Sequence, residues 1–195
     1  MSPSTDGETK GSLRLAVFDL DYTIWMPEMY QLHGPPKKIT CPKTSKPIVV
    51  DSSRSPQEIT IFDGACHALC HIDQLNEAYG MDIEVAVASR TDEPSWAHSC
   101  MDWLRLRNGK SLKESIHYVE IDFGDKQLHF RNLKKQTGLS YKDMVFFDNE
   151  MRNIQSVSQL GVKCVYTPDG MMKEHWFEAL EMFGLDHLKI EEDEE

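Results

Sequence analysis

Residues 13–23 read LRLAVFDLDYT, in which a run over 13–18 that is apolar but for Arg14 is followed at once by Asp19-Leu20-Asp21-Tyr22-Thr23. A short apolar run suits a strand buried on both faces, as in a parallel sheet. Two carboxylates then stand two residues apart at its carboxyl end. Like charges this close beside a buried strand lose solvation and raise one another's pKa unless a cation lies among them.

Four further runs of the same kind follow: Ile83–Ala88, Ile116–Ile121, Met144–Phe147 and Val162–Tyr166. Between them lie amphipathic stretches with helical spacing. Residues 63–79 place Ala65, Ala68, Leu69, Ile72, Leu75 and Tyr79 at steps of three and four and stop at Gly80. A second helix starts near Pro94, a third runs from Lys126 to Thr137 with Leu128, Phe130 and Leu133 inward, a fourth covers Asn153–Leu160, and the last spans about Met172–Phe183. Strand and helix in alternation predict an α/β fold, a mostly parallel sheet with helices on both faces. Residues 26–62 break the pattern. They hold six prolines and only one convincing strand, Pro47–Asp51. Because they leave the end of the first strand, where open α/β sheets bind ligands, they are expected to form a small flap or hairpin over the site.

The fourth apolar run also ends in acids, Asp148-Asn149-Glu150. In a parallel sheet, strands finish on one edge, so Asp19, Asp21 and Asp148 are expected to converge. A few oxygen ligands suit Mg2+, which keeps waters and accepts a phosphate oxygen. The second run ends in Ser89-Arg90-Thr91, a hydroxyl and a guanidinium suited to phosphate, and Lys126 opens a helix after the third. Carboxylates, a metal, a hydroxyl and a lysine together describe a phosphoryl-transfer site. Asp125 and Glu150 are read as a helix-terminal charge and a supporting or exposed acid, not as direct ligands. Cys66, His67, Cys70 and His71 fall on the polar half of their helix, opposite Leu69, Ile72 and Tyr79, where they would need a ligand from elsewhere to hold zinc. Trp25 and Met26 are expected to line the substrate pocket. Trp96, Trp103 and Leu104 are expected in the core.

The motif DLDYT, preceded by an apolar strand, resembles the DxDxT signature of the haloacid dehalogenase (HAD) superfamily. Ser89, Lys126 and Asp148 follow in the order of its other motifs. LAVFDLDYTIW, ASRTDEP, FRNLKKQTGLSYKDMVFFDNEMRNI and LGVKCVY resemble the magnesium-dependent phosphatase type one family, over most of residues 13–183. The resemblance implies a Rossmann-like sheet with a small hairpin cap. It makes Asp19 the nucleophile that carries an aspartyl-phosphate and Asp21 the general acid and base, with Thr23 orienting the loop. Asp19, the Asp21 carbonyl and Asp148 would hold Mg2+. The N–H groups of Leu20 and Asp21, with Ser89, Arg90 and Lys126, would hold the phosphate. It further implies activity on phosphotyrosine-like esters and on sugar phosphates such as fructosamine 6-phosphates. Asn149 departs from the superfamily, where an Asp is common; it keeps a carbonyl oxygen but brings no charge. The rival reading is a phospho-accepting signalling or binding domain, which Asp21 argues against, since a second acid beside the nucleophile speeds hydrolysis of the anhydride.

The whole chain has 195 residues and a formal charge of −11, from 21 Lys and Arg against 32 Asp and Glu. Such a surface repels nucleic-acid backbones and anionic membranes, so the expected partner is a phosphorylated small molecule or phosphoprotein. One domain over 13–188 is expected, with solvated tails at 1–12 and 189–195, the latter acidic. No apolar stretch is long enough for a membrane span, no secretory signal opens the chain, and the five cysteines form no framework, so a cytoplasmic monomer without disulfides is expected.

Overall fold

A computed structural model describes residues 11–189. All five expected strands form, within two residues of the expected bounds. They are β1 (Leu15–Phe18), β6 (Glu84–Ser89), β7 (Tyr118–Ile121), β8 (Met144–Asp148) and β9 (Lys163–Tyr166). The order is β7-β6-β1-β8-β9, and every pairing is parallel. β1 lies at the centre, with Phe18 level with Val87 on one neighbour and Phe147 on the other. That register sets Asp19 beside Asp148.

Alternate residues of β1 enter opposite cores. Leu15 and Val17 pack with Phe130, Leu133 and Val157, from α3 (Lys126–Thr137) and α4 (Met151–Ser158). Ala16 and Phe18 pack with residues of α1 (Asp63–Tyr79), α2 (Pro94–Trp103) and α5 (Lys173–Met182). Phe18 and Phe147 stack across β1 and β8 at 4.9 Å. Both faces being covered is why these strands read as continuous apolar runs and not as alternating ones.

Three expectations about the helices are corrected. Cys66, His67, Cys70 and His71 do not lie on a solvated face but are buried. α5 covers one side, where Trp176 Nε1 donates to His71 Nδ1 at 2.9 Å and Phe177 meets His67 edge-on. The segment after α2 covers the other, where Arg107 N donates to Cys66 Sγ at 3.4 Å. α1 packs all round over residues 64–72, so its polar half there is no guide to solvent. Gly64 permits the close approach of α5's leading turn, since a Cβ there would stand 2.2 Å from the Met172 carbonyl carbon. Tyr79, expected inward, is 63% exposed in the last turn of α1, and Leu128 is 42% exposed. Trp96 and Trp103 are partly buried against the core, and Leu104 is buried.

The insert holds more structure than expected. It forms a four-stranded antiparallel sheet in the order β2-β5-β4-β3, from β2 (Trp25–Met26), β3 (Pro36–Thr40), β4 (Pro47–Asp51) and β5 (Glu58–Ile61). β3 and β5 carry charged residues on an exposed face, which hid their strand character; β3 also begins with a proline at an outer strand, where a missing N–H is tolerated. The long loop from β4 to β5 is organised by the buried carboxylate of Asp51. It accepts from the N–H groups of His33 and Gln57, each at 3.0 Å, and from the Ser53 hydroxyl at 2.8 Å. The expected tails lie outside the described residues apart from Gly11, Ser12 and Lys189. No helix among the described residues is long and apolar enough to cross a membrane.

Burial alone would raise the Asp51 pKa, but the hydrogen bonds from His33, Ser53 and Gln57 outweigh it and hold the group below the usual carboxylate value. A depressed folded-state pKa contributes stability above the unfolded value of about 4, and that contribution is lost as pH falls through the lower folded value. Asp51→Ala should therefore cost about 2 kcal/mol in urea unfolding at pH 7. The gap between wild type and variant should narrow below pH of about 4.

Candidate active site

The turn after β1 begins the site. Asp19 N donates to the Phe147 carbonyl at 2.9 Å, continuing the β1–β8 pairing by one residue. The chain then folds over on itself, and the Leu20 carbonyl accepts from the N–H groups of Thr23, Ile24 and Trp25 at 3.3, 2.9 and 3.3 Å. Tyr22 takes a left-handed conformation, φ 54°, to close this turn, and its ring meets Phe62 edge-on at 5.5 Å. Thr23 is fully buried and its hydroxyl has no hydrogen-bond partner among the described residues; its main chain holds the turn, its carbonyl accepting from Met171 N at 3.3 Å.

Lys126 joins the strand ends. It is the first residue of α3, set by the Asp125 side chain, which caps the helix by accepting from Gln127 N. Only 2% exposed, it points back across the sheet edge. Its Nζ donates to Asp19 Oδ1 at 2.5 Å and to the Ala88 carbonyl, and lies 3.2 Å from Asp148 Oδ2. The ammonium also sits 5.4 Å from the centre of the Phe146 ring. Asp148 is fully buried and accepts from Glu150 N at 2.7 Å and from Asn153 Nδ2 at 3.1 and 3.0 Å on its two oxygens. Asn153 Nδ2 also donates to Glu150 Oε2 at 2.8 Å, which gives Glu150 the supporting place expected of it.

Ser89 ends β6, is 1% exposed, and its hydroxyl accepts from Thr91 N at 3.2 Å. Asp19, Asp21, Ser89, Arg90, Lys126 and Asn149 all line one open cleft of about 350 Å³. The leucine at position 20 is different: its side chain is in the core, and only its main chain faces this turn. Trp25 and Met26 do not line the cleft, contrary to expectation. Trp25 is fully buried beneath it and Met26 is 43% exposed elsewhere. The insert's contribution to the wall is Glu28 and Tyr30, so it borders the site at its root and does not lie across it. Sequence reading also missed Thr91, Arg152 and Asn153. Asn153 was foreseeable, since it lies one helical turn beyond a strand-end acid.

Burial pushes Asp19 up to about 7, with Lys126 opposing and Asp148 adding to the rise. Asp21 is likewise raised by burial, to about 6, against hydrogen bonds from Trp25, Met29 and Thr91. One ammonium thus faces two buried carboxylates with a third acid nearby, and the cluster still carries excess negative charge. Oxygen donors with uncompensated charge at a solvent-open edge fit a hard divalent cation.

Residues 12–185 match the acid phosphatase family. The chain belongs to that family. Among acid phosphatase relatives it is 34% identical to human magnesium-dependent phosphatase 1 over 88% of this chain and 87% of that one. It is 31% identical to a HAD-like hydrolase superfamily protein of Schizosaccharomyces pombe, over 76% and 82% of the two chains. A haloacid dehalogenase-like hydrolase from Xanthomonas campestris, 10% identical, superposes with a TM-score of 0.57 over 92% of this chain and all of that one, a likeness of fold.

Within this acid phosphatase the lysine bridge is open to direct measurement. Lys126→Met removes the cation from between Asp19 and Asp148, so the metal-free variant should lose about 3 kcal/mol in urea unfolding. Adding Asp19→Asn to that variant should recover part of the loss, because one of the two opposed charges disappears. A double variant no more stable than the single one would show that Lys126 does not act by neutralising Asp19.

Proposed function

We propose that this chain is a Mg2+-dependent phosphomonoesterase that works through a phosphorylated Asp19. The observation that carries the reading is the buried Asp19–Lys126–Asp148 cluster at the carboxyl edge of the parallel sheet, with Asp21 two residues beyond it. The same metal requirement is in the name of the human relative. Bound there, Mg2+ would neutralise phosphate charge and polarise the phosphorus for attack.

Substrate binding falls to this chain's donors. Lys126, the Ser89 hydroxyl, the Arg90 guanidinium and the N–H groups of Leu20 and Asp21 hold the non-bridging phosphate oxygens and stabilise charge that spreads over them during transfer. A carboxylate oxygen of Asp19 forms a bond to phosphorus as the bond to the ester oxygen breaks. Asp21 gives its proton to the departing alkoxide. With its proton gone, Asp21 takes one from water, which attacks the phosphorus and releases inorganic phosphate, restoring Asp19. A group raised to about 6 is suited to both halves of this exchange near neutral pH. Asn149 contributes at most a neutral carbonyl oxygen beside Asp148.

The cleft's breadth supports a substrate whose leaving group projects into solvent. Tyr30, 68% exposed on the wall, offers a flat face to an aryl group or a sugar ring. Phosphotyrosine-like esters and sugar phosphates such as fructosamine 6-phosphates both satisfy this shape.

Asp19→Asn preserves size but removes the nucleophile, and should lower turnover of a chromogenic phosphate ester at least 1,000-fold while the far-UV circular dichroism spectrum stays that of the folded chain, roughly the scale of losing a covalent nucleophile. Chelation of Mg2+ should abolish turnover reversibly. Product that stops at one equivalent per chain would favour a phospho-accepting domain over an enzyme.

A further inference from the structure

The root of the insert bears on the acid itself. Trp25 is fully buried, and a buried indole N–H requires an acceptor. Its acceptor is Asp21 Oδ1, at 2.8 Å. Main-chain bonds fix the two residues relative to one another: Tyr22 N donates to the Trp25 carbonyl at 2.9 Å and Trp25 N to the Leu20 carbonyl at 3.3 Å. Trp25 also begins β2, level with Ile61 of β5, so its ring is set by the insert's sheet as well as by the turn. Met29 N–H and the Thr91 hydroxyl also act to lower the pKa of this carboxyl, one from the insert and one from the loop after β6. Asp21 faces the cleft while the indole lies beneath it.

We infer that Trp25 is a positioning residue for Asp21: its buried indole N–H fixes one carboxyl oxygen as an acceptor and so presents the other to the leaving group. The inference rests on the phosphatase reading above and deepens it. Without the indole donor the carboxyl turns about its side-chain torsions, and proton delivery loses alignment. Phosphate binding by Lys126, Ser89 and Arg90 does not depend on that bond. The deficit therefore grows with the basicity of the departing oxygen, because a nitrophenolate leaves without a proton whereas a more basic phenolate needs one.

The test is Trp25→Phe, which keeps an aromatic ring and removes the donor, assayed with Mg2+ on 4-nitrophenyl, phenyl and 4-methoxyphenyl phosphates. The readout is kcat/KM, which reports events through departure of the leaving group and is blind to the later hydrolysis. For the nitrophenyl ester it should fall no more than about 3-fold, and for the methoxyphenyl ester about 30-fold, a part of the roughly 100- to 10,000-fold that general acid catalysis contributes. Affinity for inorganic phosphate should not change. Asp21→Ala should show the same trend more steeply. An equal loss on all three esters in Trp25→Phe, with Asp21→Ala still graded, overturns the role of Trp25 and leaves the acid assignment standing. A flat response in Asp21→Ala overturns both. Should Trp25→Phe not fold, the 15N-labelled indole signals decide. In Asp21→Ala the Trp25 Nε1–H resonance should move while those of Trp96, Trp103 and Trp176 stay, and an unmoved Trp25 signal overturns the inference.

Discussion

A lysine ammonium buried between two carboxylates organises this molecule. Lys126 donates to Asp19 and to the Ala88 carbonyl and forms an ion pair with Asp148. Those partners come from the ends of β1, β8 and β6, so a single side chain from α3 ties together three adjacent strands. Removing any one of these groups leaves the others desolvated without a partner, a larger loss than the modest net worth of the intact cluster. The register of β1 against β8 is bound to the same interaction, because a slip of one residue would turn Asp19 or Asp148 into the apolar core.

The charge left over gives the site its chemistry. Two buried carboxylates and one ammonium do not balance, and the remaining negative charge is what a divalent cation would meet. Asp148 is held rigid by Asn153 and the Glu150 N–H, whereas Asp19 has Lys126 on one oxygen. The more immobile acid suits a fixed ligand, and the less encumbered one suits a group that must form a bond to phosphorus.

The insert between β1 and α1 acts on the site through its root. Its sheet is stabilised at a distance by the Asp51 loop, while its first residues supply an indole under Asp21 and the Glu28–Tyr30 wall. The insert's sheet and the Asp21 carboxyl therefore meet at the Trp25 side chain. The four-stranded sheet packs on α2 through β3, and none of its strands lines the cleft.

The five parallel strands were legible from local sequence because burial on both faces demands unbroken apolar runs, and the acids closing two of them marked the edge where chemistry collects. Asp19, Asp21, Ser89, Arg90, Lys126 and Asp148 were legible for the same reason: each stands at or just beyond an element boundary. β3 and β5 were not, since a sheet covered on one side can carry lysine, glutamate and threonine on the other. Nor was the burial of His67 and His71, which depends on α5 and the segment after α2 arriving from over thirty residues away. Trp25 stood in plain view beside the motif, but a sequence cannot tell whether an indole lines a pocket or donates from beneath it. Local order determined which residues could do the chemistry; only packing decided which groups hold them in place, because a hydrogen-bond partner is chosen by distance in space and not along the chain.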